Sequence, residues 1–311
     1  MTVPATAGTT RYGNETRWWV SSLNLDGMHE ELVFTSEDKT AADCRFTPWA
    51  IIANQTYNRL VFDDCNVYMN STKDIGATAA DANGENAVMR FTGGTTAAFN
   101  QINVSSRPGF KFIVEDGATV PTCTGGIYGG STSATVPVVL EIDNTAVTTG
   151  NKVEPDNTSA YNGMVIRLSG ANAILSASYM QPKNAASTNV IEYVIPTGGY
   201  NAVPVQTTHN TYVLGSDTTK APMTFRVSKD SPGLKSIGSR GIQLLYSKGG
   251  INAANVRFED VKEGVNGFFF KDADGNKYAD AAEIEAAGKS ASDIKEIWYK
   301  APPTGTFIYM R

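Results

Sequence analysis

Val88-Met89-Arg90-Phe91-Thr92-Gly93 and Val165-Ile166-Arg167-Leu168-Ser169-Gly170 repeat one pattern, and the first offset runs from Val88 to Val165. Residues 110–117 and 191–198 also resemble each other, and this second offset runs from Phe110 to Ile191. Stacked coils must present like residues to like neighbours. The two offsets therefore predict a β-solenoid whose repeat is three or four coils long.

Short apolar or alternating runs recur between turn-forming residues from Glu31 to Tyr246, and they are rich in Val, Ile, Phe and Tyr. Such runs predict short strands, and no helical periodicity appears before about residue 277. A weaker third copy of the repeat begins at Ile242 and reaches residues 268–275. The prediction is a mainly β fold, with a β-sandwich or jelly roll as the alternative to the solenoid.

Composition excludes some partners of this 311-residue chain. Its net charge is -5 and it has no run of Lys or Arg that could follow a phosphate backbone, so we expect no nucleic-acid partner. No stretch approaches the roughly 20 apolar residues of a membrane helix, so we expect no membrane insertion. Residues 1–8 lack the basic and apolar regions of a secretory signal, which predicts that the signal has been removed or that export follows another route.

Residues 91–99 and residues 195–204 share one order of features. Each contains a predicted strand, a Gly-containing turn, small polar residues and a further predicted strand. This cadence resembles the passenger regions of bacterial autotransporter-type adhesins, and the resemblance covers roughly residues 30–260. It implies a right-handed parallel β-helix, export, and display or adhesion at the cell surface or in the extracellular space. It transfers no functional residue.

The resulting hypothesis is a non-enzymatic structural or adhesive protein whose ligand is a cell-surface glycan or protein. Because the open edges of coils can pair end to end, we also expect a homo-oligomer or a filament subunit. Two alternatives stay open, namely a β-helical polysaccharide lyase or glycoside hydrolase and a viral fibre or capsid component.

The chain divides into an N-terminal cap at residues 1–30, a β-solenoid at residues 31–254 and a C-terminal α+β cap at residues 255–311. Within the last region, residues 268–270 predict a strand and residues 280–288 a short helix ended by Gly288. Strands at residues 295–300 and 306–310 follow. This region would cover the open edge of the last coil.

One local pattern suggests a metal site. Oxygen ligands stand at positions 1, 3, 5, 9 and 12 of an EF-hand-like loop, namely at Asp272, Asp274, Asn276, Asp280 and Glu283. Position 6 is Lys277 where the calcium loop needs Gly, so an ordinary turn followed by a helix start is the alternative. Calcium is the only cofactor that the sequence suggests.

The dipeptides Asp43-Cys44 and Asp64-Cys65 recur at a spacing close to the length of one coil. That spacing would stack Cys44 on Cys65, either as two buried thiols or as a disulfide.

Paired acids occur at residues 63–64, 115–116 and 259–260. Glycosidases use a pair of carboxyl groups for catalysis. Enzymes of the polygalacturonase-like β-helix family carry Asn-Thr-Asp, Asp-Asp, Gly-His-Gly and Arg-x-Lys motifs, of which only Asp63-Asp64 has a counterpart here. We therefore assign no catalytic residue.

Overall fold

The computed structural model describes a large part of the chain. The described residues are 2–3, 18–20, 23–24, 31–36, 45–48, 51–52, 59–71, 88–104, 108–131, 133, 135–156, 163–184, 187–210, 214, 219–237, 241–261 and 267–301. The predicted last strand at residues 306–310 and Cys44 lie outside them.

Short strands make up most of the regular structure. In the first half of the chain they are β1 (Thr2–Val3), β2 (Trp18–Val20), β3 (Leu23–Asn24), β4 (Glu31–Ser36), β5 (Arg45–Pro48), β6 (Ile51–Ile52), β7 (Arg59–Asp63), β8 (Asn66–Ser71), β9 (Val88–Thr92), β10 (Thr96–Asn103), β11 (Lys111–Val114), β12 (Val120–Cys123), β13 (Ile127–Tyr128), β14 (Val138–Asp143), β15 (Ala146–Thr149) and β16 (Lys152–Glu154). In the second half they are β17 (Met164–Ser169), β18 (Ile174–Ala177), β19 (Tyr179–Met180), β20 (Asn189–Val194), β21 (Val205–Thr207), β22 (Met223–Val227), β23 (Ile242–Ser247), β24 (Val256–Glu259), β25 (Phe268–Asp272), β26 (Lys277–Tyr278) and β27 (Ile294–Tyr299). Among the described residues the one α-helix is α1 (Ala281–Ala286), and 3-10 turns lie at Pro232–Lys235 and Ala253–Asn255.

The strands form two large sheets and one small one. The ten-stranded sheet has the order β1-β4-β7-β9-β11-β14-β17-β20-β22-β24, and β3 pairs with β6 alone. The fifteen-stranded sheet has the order β2-β5-β8-β10-β12-β15-β18-β21-β23-β27-β25-β26, with a side branch β10-β13-β16-β19. Among the described strands from β1 to β24, all pairing is parallel. The sandwich or jelly-roll alternative does not fit this arrangement, because those folds are built from antiparallel sheets.

Strand register tests the two sequence offsets. Val88 aligns with Lys111, which aligns with Val139 and then Val165, so the first offset is confirmed as three steps across the sheet. The second offset is wrong by two positions, because three steps lead to Ile191 from Phe112 and not from Phe110. A shift of two positions keeps every side chain on its own face of a strand, which is why the similarity survives it.

The proposed third copy is also wrong. Ile242 begins β23, which belongs to the fifteen-stranded sheet, whereas β9 and β17 belong to the ten-stranded sheet. Residues 268–272 form β25, whose pairing with other described strands is antiparallel. Runs of Phe and Val are common to both kinds of strand, so composition alone could not separate them.

Aligned apolar side chains form the core. One inward row of the ten-stranded sheet is buried throughout and consists of Phe34, Phe62, Phe91, Val114, Ile142, Leu168, Tyr193 and Val227. The ring centroids of Phe34 and Phe62 are 5.1 Å apart, and those of Phe62 and Phe91 are 4.9 Å apart. These distances are close to the strand spacing of about 4.8 Å, so each ring stacks on the ring of the next strand.

Left-handed residues mark the passage from six strands of the ten-stranded sheet to the following strands of the fifteen-stranded sheet. They are Asp64, Gly93, Gly117, Asn144, Gly170 and Gly198, with φ between 50° and 86°. Gly adopts this conformation without steric cost, and Asn and Asp adopt it more readily than other residues. A Cβ on Gly117 would lie 2.6 Å from the carbonyl oxygen of Gly93, so the turns of neighbouring strands stack closely.

Asparagine side chains connect these turns. The Asn172 amide donates to Asn144 Oδ1 at 3.2 Å, and the Asn201 amide donates to Asn172 Oδ1 at 2.8 Å. The three side chains form a hydrogen-bonded ladder along the corner of the molecule.

The C-terminal elements are antiparallel and extend the fifteen-stranded sheet. β27 pairs with β23 on one side and with β25 on the other. The predicted strand at 268–270 and helix at 280–288 are confirmed as β25 and α1, and Gly288 has φ of 68° after the helix. β24, although it follows residue 255, aligns with β22 in the ten-stranded sheet.

Two neighbouring tyrosines differ in how their hydroxyl groups are satisfied. Tyr193 is fully buried, and its hydroxyl has no hydrogen-bond partner in the described part of the chain. The Tyr200 hydroxyl donates to the Leu168 carbonyl oxygen at 3.0 Å. Burial raises the pKa of both groups above the ordinary value, so both hydroxyls stay protonated.

Replacing Tyr193→Phe is expected to raise the free energy of unfolding by about 1 kcal/mol, because it removes a buried, unpaired hydroxyl. Replacing Tyr200→Phe is expected to lower it by about 1 kcal/mol, because it removes a satisfied hydrogen bond. Chemical denaturation of the two matched variants measures both changes. A loss of stability in Tyr193→Phe equal to that in Tyr200→Phe would contradict the assignment.

Candidate functional site

The five oxygen ligands of the predicted calcium loop lie in and after the turn between β25 and β26. Asp272 is buried, and its carboxylate accepts hydrogen bonds from the backbone of Asp274 and Asn276 at 3.0 and 2.9 Å. It also accepts from the Asn276 amide and the Tyr278 hydroxyl, each at 2.9 Å. The carboxylate therefore closes the turn through four hydrogen bonds.

A lysine ammonium lies beside two of the predicted ligands. Lys289 Nζ is 3.0 Å from Asp272 Oδ2 and 3.4 Å from Asp274 Oδ2. The hydrogen bond from the Asn276 side chain, followed by those from Lys289 and Tyr278, holds the pKa of Asp272 well below its usual range. The contact with Asp272 in turn raises the pKa of Lys289. An internal cation thus neutralises the first two predicted ligands.

The last two predicted ligands begin helix α1. Asp280 Oδ1 accepts from the Glu283 backbone at 3.0 Å, and Glu283 Oε2 accepts from the Ala279 backbone at 2.7 Å. This arrangement resembles a capping box, which satisfies amide groups that the helix itself leaves unpaired. Across the described residues, no group of three or more His, Cys, Asp or Glu side chains is placed to hold a metal ion. Calcium stays a sequence prediction and would have to displace the Lys289 ammonium.

The turn makes stability depend on pH. Because the pKa of Asp272 is lower in the folded protein, its stabilising contribution is complete above the unfolded-state value of about 4 and is lost as the pH falls through the folded value. We expect Asp272→Asn to lower the thermal midpoint at pH 7, and the difference from the native protein to shrink below about pH 4. Asp116→Asn, at an exposed corner, is the control. A difference independent of pH between 7 and 2 would contradict this account.

The predicted cysteine stack is described on one side only. Arg45 and Asn66 directly follow the two cysteines, and the strands β5 and β8 align them with each other. The spacing of the two dipeptides therefore equals the spacing of aligned residues on these strands. Cys65 is buried, and its sulfur accepts from the Ser36 hydroxyl at 3.4 Å. Cys44 lies outside the described residues, so the choice between stacked thiols and a disulfide stays a prediction.

The three acid pairs lie at the ends of the strands β7, β11 and β24. Asp64 is a left-handed corner residue, and Glu115 pairs with Arg90 at 3.2 Å. Glu259 pairs with Arg226 at 3.4 Å, and Asp260 accepts from the Tyr299 hydroxyl at 3.0 Å. The structure therefore assigns these four carboxylates to turns, ion pairs and a hydrogen bond.

Alternating charges form a ladder on the outward face of the ten-stranded sheet. Five aligned positions on β14, β17, β20, β22 and β24 are Glu141, Arg167, Glu192, Arg226 and Glu259. Glu192 is the centre, since its two oxygens contact Arg167 Nε at 2.5 Å and Arg226 Nε at 3.0 Å. Burial raises the pKa of Glu141, and the neighbouring Arg167 opposes that rise. We call these five residues the charge ladder.

A second charged group lies on the side branch. The Glu154 side chain is 1% exposed and lies between two ammonium groups, 2.5 Å from Lys152 Nζ and 2.9 Å from Lys183 Nζ. Neither carboxylate oxygen makes an aligned hydrogen bond in the described residues, so these contacts are ion pairs. Lys152 Nζ also lies 5.8 Å from the centre of the Tyr128 ring. Sequence reasoning missed this cluster because Tyr128 and Lys183 are far in the sequence from Lys152 and Glu154, which share strand β16.

A third group, here named the aromatic–lysine patch, lies on the outward face of β23, β27, β25 and β26. Its members are Gln243, Tyr246, Phe269, Lys271, Lys277, Glu296 and Trp298. The alternating burial of β25 and β27 points Phe268, Phe270, Ile297 and Tyr299 into the core, which leaves the intervening side chains facing outward.

An irregularity in strand β23 completes the patch. The register shifts between Gln243 and Leu245, so that Leu244 and Leu245 are both buried and Tyr246 faces outward. One extra residue in a strand re-aims the side chains that follow it. Tyr246 is 39% exposed, whereas strict alternation would have turned it into the core.

No family model, curated protein or solved structure matches the chain. Among the described residues, no helix is long and apolar enough to cross a membrane.

Proposed function

We propose that the chain is a non-enzymatic structural or adhesive protein of the cell surface or extracellular space, built on a right-handed parallel β-helix with a C-terminal α+β cap. The parallel pairing from β1 to β24 supports this frame, because each step along the ten-stranded sheet returns the chain to the same sheet after one coil. The antiparallel pairing of β27 with β23 supports the cap, because it covers the edge that β23 would otherwise present.

The charge ladder is the observation that carries the proposal. Its arginines and glutamates neutralise one another across neighbouring strands, and Glu192 takes both of its ion pairs from within the sheet. Alternating charges on adjacent strands stabilise the sheet that carries them, here around the buried Glu192. A catalytic group, by contrast, must be positioned to meet a substrate and to exchange a proton with it. The broad face of the molecule is therefore suited to display.

Self-assembly is part of the proposal. β24 is the last strand in the order of the ten-stranded sheet, and a terminal strand can pair with another chain. Arg257 and Glu259 on this strand are exposed, so a contact made there would be sensitive to salt. A viral fibre or capsid component would use the same property, and gene neighbourhood would separate that alternative from a surface protein.

Light scattering tests the assembly. We expect the mass to rise with protein concentration at an ionic strength of about 0.05 M and to fall when salt is raised to about 1 M, where charges are screened within roughly 3 Å. Glu259→Gln is expected to weaken the assembly more than Glu285→Gln, which changes an exposed glutamate on α1. A monodisperse monomer at every concentration would contradict self-assembly.

The Glu154 cluster favours a second candidate function, a β-helical polysaccharide lyase or glycoside hydrolase. Lys152, Glu154 and Lys183 bring two ammonium groups and a carboxylate together, beside the Tyr128 ring. Such a group could bind the acidic unit of a polysaccharide and exchange protons with it. Against it, Glu154 is almost completely covered and both its oxygens are occupied by the lysines.

Incubation with acidic and neutral polysaccharides separates the two functions. We expect no new reducing ends and no unsaturated sugar product from the native protein. Turnover that is lost in Lys152→Met, and kept in the surface variant Lys229→Met, would establish the enzyme and overturn the non-enzymatic proposal. Thermal unfolding of both variants shows whether a loss of turnover merely reports a loss of folding.

A further inference from the structure

The aromatic–lysine patch combines exposed apolar area with charge. Tyr246 is one of two exposed large hydrophobic residues among those described, and the other, Val136, is in a separate loop. The rings of Phe269 and Trp298 stack with centroids 6.2 Å apart on the same face. Clustered apolar side chains that face water, with polar groups around them, mark interaction sites more often than scattered ones do.

Two ammonium groups lie over these rings. Lys271 Nζ is 3.3 Å from the centroid of Trp298, and Lys277 Nζ is 5.2 Å from that of Phe269. Lys271 and Lys277 also face each other across the pair β25–β26. Burial is the main cause that lowers the pKa of Lys271, Glu296 opposes it, and the like charge of Lys277 adds to it. An anion held between the two lysines would relieve this repulsion.

Polar groups at the margin suit a hydroxylated ligand. Trp298 Nε1 donates to Glu296 Oε2 at 2.6 Å, which fixes the orientation of the indole ring on the sheet face. Gln243 aligns with Trp298, and its amide adds a donor and an acceptor. The Glu296 carboxylate can also accept hydrogen bonds from the hydroxyl groups of a sugar.

We propose that the aromatic–lysine patch binds an acidic polysaccharide, with a sugar ring packed on Tyr246 and an anionic group held by Lys271 and Lys277 above the rings of Trp298 and Phe269. The apolar C–H face of a sugar matches the Tyr246 ring, and the carboxylate or sulfate of an acidic sugar matches the two ammonium groups. This inference rests on the adhesive role proposed above and deepens it by naming the class of ligand and the residues that recognise it.

Isothermal titration calorimetry with polygalacturonate, heparin, dextran and a single-stranded oligonucleotide tests the proposal. We expect binding of one or both acidic polysaccharides, weak or no binding of neutral dextran, and affinity that falls with salt. The double variant Lys271→Gln/Lys277→Gln and the variant Trp298→Ala should each bind about tenfold more weakly or worse. The matched control is Lys229→Gln/Lys235→Gln, which removes two exposed lysines that are not members of the patch.

Several outcomes would overturn the assignment: equal affinity of the patch variants and the control, dextran binding as tight as that of the acidic polymers, or preference for the oligonucleotide. A dimer that dissociates on Trp298→Ala would show that a second copy of the chain occupies the patch. If Trp298→Ala lowers the thermal midpoint, its weaker binding could reflect lost folding. The affinity of the double variant Lys271→Gln/Lys277→Gln then decides whether the patch binds the polysaccharide. Failure to bind any polysaccharide contradicts this assignment alone, whereas turnover of a polysaccharide contradicts the non-enzymatic role.

Discussion

The backbone conformation at one corner is the constraint on which the rest depends. The six passages from the ten-stranded to the fifteen-stranded sheet, from Asp64 to Gly198, each contain a residue in the left-handed region. Such a turn redirects the chain within a few residues, from the end of one strand into the other sheet. Once these turns are stacked, the inward rows of apolar side chains and the outward charge ladder follow, because aligned strands place like positions next to each other.

Sequence similarity was enough to predict the parallel, mainly β character but not the register. Val88 and Val165 match because the strands β9 and β17 carry the same alternation and the same left-handed corner after them. The match between residues 110–117 and 191–198 misplaces the register by two positions, because Ile195 and Pro196 extend the passage after β20 before its left-handed residue, Gly198. Alternation is preserved by such a shift, so only the hydrogen-bonded pairing could reveal it.

Site prediction was limited by what one local segment can show. The loop motif requires oxygen atoms at set positions, and it therefore predicts calcium ligands at Asp272, Asp274 and Asn276. In the structure the cation that contacts this loop is the Lys289 ammonium, and Lys289 lies well outside the loop in the sequence. Alternating Glu and Arg could have indicated the charge ladder only after the strands had been aligned. The aromatic–lysine patch needs the antiparallel pairing of β25 with β27 and the irregularity in β23, neither of which leaves a signal in composition.

The unequal number of residues between aligned strands separates two kinds of sequence change. The step from Val88 on β9 to Lys111 on β11 is much shorter than the step from Asn189 on β20 to Met223 on β22, yet both join aligned strands, so the surplus lies in the connections. Insertions and deletions there leave the stacked rows intact, whereas a single residue gained or lost inside a strand would invert its faces. Lineages of such a chain can therefore diverge in length and in surface loops while the interior composition stays almost constant, and recognisable sequence likeness is then lost long before the architecture is.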